Sequence, residues 1–178
     1  MRSSYRRRVV TGTALAVALA ATGVGLGAPP ALADTVSVSY ACTGPGAPGD
    51  PQSLEISMTA PATVQQGGTA ELTVDVTTAL TSPIDLPAHT VTGDMTINLG
   101  GAGSGSVTAT GFGNPDPVPT GSTVTLTGGT ASARLDTPGT TTFSPGDAAV
   151  HVFGLTVQCT ISGDTQAAAT TEVTPGTP

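Results

Sequence analysis

Ala70-Glu71-Leu72-Thr73-Val74-Asp75-Val76-Thr77 decides the fold class. Every second residue is apolar, and Glu71, Thr73, Asp75 and Thr77 between them are polar. Side chains alternate across a strand with a period of two, so this stretch predicts a strand with one face in a core and one in water. The same period recurs on both sides. Val36, Val38, Tyr40 and Cys42 share a face upstream, as do Leu54, Ile56 and Met58. Downstream, Met95, Ile97 and Leu99 alternate, and Val107–Thr110 returns as a short strand after the flexible run Gly100–Gly105. Thr81–Ala88 contains Ser82-Pro83 and Leu86-Pro87 and reads as a loop or edge piece. Pro115, Pro117 and Pro119 make Gly113–Pro119 a stiff surface loop.

Two places break the alternation. Val124 and Leu126 alternate, Gly128-Gly129 interrupts them, and Ala131, Ala133 and Leu135 come back. This reads as a hairpin with a Gly-Gly turn. In the last long run, Ala148–Ile161, Val150 and Val152 are even whereas Phe153, Leu155, Val157, Cys159 and Ile161 are odd. A β-bulge near Val152–Gly154 would keep both sets inward. Outside 1–33 no segment of 10 or more residues carries an apolar 3.6-residue period. Eight to ten short strands with regular turn signals predict an all-β antiparallel sandwich, immunoglobulin-like in general architecture, with a β-barrel as the alternative. The sandwich is expected over 34–161. Residues 162–178 lose large apolar side chains and read as a flexible C-terminal tail.

Residues 1–33 read as a secretory signal. Arg6-Arg7-Arg8 supplies a positive start, Val9–Gly27 an apolar run, and Ala31-Leu32-Ala33 a small-x-small cleavage pattern before Asp34. The arginines also loosely fit a twin-arginine export signal. No second apolar stretch of about 18 residues follows, so no membrane span is expected after processing. The expected location is secreted or extracellular, including the cell wall.

Four of the five basic residues lie within 1–33, which leaves Arg134 against all 12 acids, a formal charge of −11 with histidines neutral. Nothing remains to neutralise phosphates, which excludes a nucleic-acid partner. Attraction to anionic lipid is disfavoured for the same reason. Cys42 and Cys159 are the two cysteines, and an even number in an exported chain predicts a disulfide. Each continues the apolar face of its strand. Their strands are therefore expected to lie close, either paired or facing across the sandwich. Two thiols 117 positions apart with no nearby histidine make a poor zinc site.

The residue types that carry chemistry are sparse. His89 and His151 are the two histidines, and neither adjoins a Gly-x-Ser-x-Gly elbow on a strand-to-helix turn. Both read as surface residues. Paired carboxylates would suit a glycosidase, but sugar sites present exposed aromatic platforms. Outside 1–33 the aromatics are Tyr40, Phe112, Phe143 and Phe153. The strand patterns assign Tyr40, Phe143 and Phe153 to the core and leave Phe112, between two glycines, at the surface. A copper oxygenase using an N-terminal histidine is excluded if Asp34 comes first. Asn114-Pro115-Asp116 and Thr92-Gly93-Asp94 are the candidate oxygen ligands for calcium, although turn geometry alone explains Asn and Asp there. No catalytic residue, cofactor-binding residue, metal ligand or cofactor is assigned.

Val38-Ser39-Tyr40-Ala41-Cys42, Ala60-Pro61-Ala62-Thr63-Val64 with Gly67-Gly68, and Phe143-Ser144-Pro145-Gly146-Asp147 leading to Val157-Gln158-Cys159-Thr160 carry a resemblance. With these motifs the chain resembles an uncharacterised family of small secreted β-proteins from high-GC Gram-positive bacteria. The resemblance implies export, a β-fold and the cysteine pair. That family has no assigned activity, so no functional residue follows from it. The expected function is a secreted, non-enzymatic structural or interaction module with an extracellular or cell-wall partner. A secreted hydrolase or carbohydrate-binding accessory is the alternative. A protease inhibitor presenting Gly113–Pro119 is the third.

Overall fold

A computed structural model describes residues 31–176. The predicted secretory segment falls outside the described residues except for 31–33. The described chain is all-β. Its ten strands are β1 (Ala31–Thr43), β2 (Gln52–Pro61), β3 (Thr63–Gln65), β4 (Gly68–Thr81), β5 (Val91–Gly101), β6 (Ser106–Gly113), β7 (Thr123–Leu135), β8 (Gly139–Val152), β9 (Leu155–Ile161) and β10 (Ala169–Thr174). They hydrogen-bond in the order β3-β10-β8-β5-β6-β7-β4-β2-β1-β9. All these pairings are antiparallel except β10 with β3.

The sheet folds over on itself as the expected sandwich. β7, β4, β2 and β1 form one layer, and β5, β8, β10 and β3 the other. β6 turns the sheet at one side through only two pairs with β7, Thr110–Thr130 and Gly113–Thr127. β9 turns it at the other side and pairs with both β1 and β8, so the hydrogen-bonded circuit closes. Closure is a feature this sandwich shares with the barrel. The inward residues of every strand from β1 to β10, except the short β3, meet in one apolar core. Burial in β4 alternates as its sequence predicts, with Ala70, Leu72, Val74 and Val76 inside.

Both breaks in alternation resolve differently from the expectation. Gly128-Gly129 is not a turn. β7 runs straight through it, and the register against β4 shifts between Val74 and Val76. Gly128 has a φ of 79° and its N–H donates to Asp75 Oδ1 at 2.9 Å, which places a bulge here. Gly129 lies against the Phe112 ring so closely that a Cβ there would clash with it. Phe112 is therefore buried, not a surface ring. Conversely, Ala148–Ile161 is not one bulged strand. It is a hairpin, β8 and β9, with Val152 paired to Leu155 across the two-residue turn Phe153-Gly154. Phe153 has a φ of 49° and points to solvent, so its assignment to the core is corrected.

The flexible tail is also corrected. Residues 169–174 form β10, held between β8 and β3, with Ala168, Ala169 and Val173 buried. Pro145-Gly146 sits within a strand. It lies inside β8, where the register against β5 shifts between Met95 and Ile97, a tolerated site for proline.

Candidate functional site at the loop-bearing end

Four connections gather at one end of the sandwich: 44–51, 82–90, 114–122 and the tip 153–154. The second and third are braced together. Leu86 and Val118 form a two-way backbone bridge, and Ser82 N–H donates to Ser122 O. Asn114 is the hub. Its Oδ1 accepts from Val91 N–H at 2.9 Å, and its Nδ2 donates to the carbonyls of Pro87 at 2.8 Å and Asp116 at 2.9 Å. The side chain is buried and its donors and acceptor all serve the backbone. Asn114 is thus a structural staple and not a free calcium ligand. The N–H of His89, at a φ of 60°, donates to the Asn114 carbonyl. His89 itself is exposed, as its sequence reading has it. Thr120 donates its N–H and its hydroxyl to Asp85 Oδ1 at 2.7 and 2.8 Å. These bonds hold the Asp85 carboxyl below the usual carboxylate range.

The cysteine pair fixes the same end. Cys42 in β1 and Cys159 in β9 are direct register partners joined by a disulfide, with Cα atoms 4.0 Å apart. Of the two arrangements open to the sequence, pairing is the one found. Just below, Tyr40 is fully buried and its hydroxyl donates to the Gly146 carbonyl at 2.8 Å, tying β1 to β8 across the core. Burial first, and the nearby Asp147 carboxylate second, push the Tyr40 phenol well above its ordinary value.

A polar row crosses the outer face beside the tip. His151 in β8 has Nδ1 3.0 Å from Thr156 Oγ1 in β9 and Nε2 3.2 Å from Asp94 Oδ2 in β5. A carboxylate accepts, so Nε2 carries the proton in the neutral ring and Nδ1 accepts from the threonine hydroxyl. Asp94 lies in strand β5 and is engaged by this histidine, so Thr92-Gly93-Asp94 is not a calcium loop. Among the described residues no group of three or more His, Cys, Asp or Glu is placed to hold a metal ion. An aspartate–histidine–hydroxyl row is the starting arrangement of nucleophilic catalysis. Here it stands part-exposed on the open face of three paired strands.

The apolar residues of this end are what the sequence reading missed. Ile84, Phe153 and Leu155 are 51%, 59% and 48% exposed, and they are the exposed large apolar side chains among the described residues. All three belong to the loop-bearing end. The parity of Val152 and Leu155 was the available signal, because a two-residue hairpin turn switches the inward parity as a bulge does. At the opposite end a shallow polar depression is lined by Ser104, Arg134, Asp136 and Thr141. Arg134 pairs there with Asp136 at 3.0 Å. No helix among the described residues is long and apolar enough to cross a membrane. No family model, no curated protein and no solved structure matches this chain.

Proposed function

We propose that the chain is a secreted, non-enzymatic interaction module of the uncharacterised family it resembles, acting at or outside the cell envelope through its loop-bearing end. One observation carries this reading: Ile84, Phe153 and Leu155 are all exposed at the same end of a frame braced by Asn114 and the Cys42–Cys159 bond. Apolar side chains presented on a rigid scaffold are the usual basis of a binding surface. A photo-crosslinker placed at Ile84, and separately at Ser104 on the opposite end, tests it in a secreting culture. Crosslinks from Ile84 and none from Ser104 are expected. Equal labelling from both ends, or none, would sink the reading. Export itself is checked by the N-terminus of secreted protein, expected at Asp34.

The secreted-hydrolase reading keeps one specific observation, the Asp94–His151–Thr156 row. Its test is ester hydrolysis by the wild-type protein and by His151→Ala. Activity lost in the variant would favour it over the interaction module.

A further inference from the structure

Phe153 departs from ordinary protein design twice. It is the most exposed large apolar residue described, and its backbone occupies the left-handed region. The first central position of a two-residue hairpin turn favours Asn, Asp or Gly, because a Cβ is strained at positive φ. Gly154 follows at 78° and is well suited to its place. Asn at 153 would close the same Val152–Leu155 pair with less strain and no exposed ring. Nothing in the fold requires phenylalanine there, for its ring packs into no core. The other described aromatics, Tyr40, Phe112 and Phe143, are all buried. Strain and exposure at one residue, with no structural return, point to a ligand.

We infer that the β8–β9 tip, Phe153 with Leu155, is a rigid wedge that enters an apolar pocket on a cationic protein. The inference deepens the interaction-module reading and depends on it. Rigidity comes from the five-pair β8–β9 ladder and from the disulfide four residues beyond Leu155. A preorganised aromatic anchor loses little freedom on docking. Aromatic anchors in desolvated pockets with polar rims are the usual centres of protein interfaces. The charge around the tip selects the partner. Asp50, Asp85 and Asp116 lie in the neighbouring connections, while Arg134 sits at the far end of β7. A basic rim is attracted to this end and an anionic lipid surface is repelled.

The test uses the full secreted protein, with Phe153→Asn, Phe153→Gly and Leu155→Thr as variants. Each is melted, titrated with cationic amino-cyclodextrin as an apolar cavity with a basic rim, and crosslinked from Ile84 in the secreting culture. The expected result has three parts. Phe153→Asn and Phe153→Gly melt at or above the wild-type temperature. All three variants lose at least about tenfold in affinity for the cationic cavity, the scale of a truncated anchor. The Ile84 crosslink disappears in Phe153→Asn, and the partner identified from the wild-type crosslink is basic. Retention of the crosslink in Phe153→Asn would overturn the wedge and leave the module standing. A crosslink absent from the wild type would remove both. A melting temperature lowered in both Phe153 variants would assign the ring to the fold instead. Phe153-dependent binding to phosphatidylglycerol vesicles, or an acidic partner, would also overturn the proposal.

Discussion

Tyr40 and Thr141 show how much depends on where one hydroxyl ends. Tyr40 is the sole tyrosine outside 1–33, and there is no tryptophan, so its absorbance is unobscured in a protein that starts at Asp34. Its folded phenol titrates above its ordinary value. A raised pKa means the unfolded chain loses this proton first. Stability is then fully present below about pH 10 and falls as the pH climbs beyond it. Tyrosinate absorbance is expected to appear together with unfolding and not before it. Tyr40→Phe should flatten that alkaline dependence. It should also cost about 1–3 kcal/mol at neutral pH, because the buried Gly146 carbonyl loses its donor. Thr141 is the opposite case. Its Oγ1 is the one buried side-chain polar atom without a partner among the described residues. Valine has the same shape without the hydroxyl. Thr141→Val is expected to stabilise the protein by about 1 kcal/mol in denaturant unfolding.

At the scale of strands, alternation made most of the fold legible and left two junctions ambiguous. The inward faces of β1, β2, β4 and β5 follow the sequence period directly. A bulge and a two-residue hairpin turn both switch inward parity, so parity alone does not separate them. Turn chemistry pointed the wrong way at each. Gly128-Gly129 resembles a turn, but one glycine serves a bulge and the other makes room for the Phe112 ring. Phe153-Gly154 does not resemble a turn, yet it is one. The same two junctions exchanged the places of Phe112 and Phe153, and with them the candidate site. Asn114 was legible as a turn residue but its burial was not, because its partners come from distant segments. β10 escaped notice because Ala and Thr carry little apolar signal. Its place between β8 and β3 gives a sharp test. Val173→Asp would bury an unpaired carboxylate, and a loss of more than about 3 kcal/mol is expected in urea unfolding. A flexible tail would tolerate the change.

For the whole molecule, charge and closure dominate. Outside 1–33 twelve acids face one arginine, and the compact state brings them together. Sodium chloride should therefore raise the melting temperature from low to moderate ionic strength, as screening weakens the repulsion. An unchanged melting temperature would show that the carboxylates are already well dispersed. The Cys42–Cys159 bond acts in the same direction. It closes a separation of 117 residues, and in the chain-entropy description a loop of that length contributes roughly 4–5 kcal/mol. Reduction should lower the midpoint in urea by a corresponding amount. The position of that bond also fixes a sequence of events. β1 finds its β2 neighbour early, but its other neighbour, β9, emerges only after six further strands. During vectorial synthesis the Cys42 thiol must therefore wait, unpaired, until almost the entire chain has been made. Such long-range closure makes for slow folding. Throughout that interval the chain is open to mispairing with any other thiol it meets, and the oxidant that seals it has to act last.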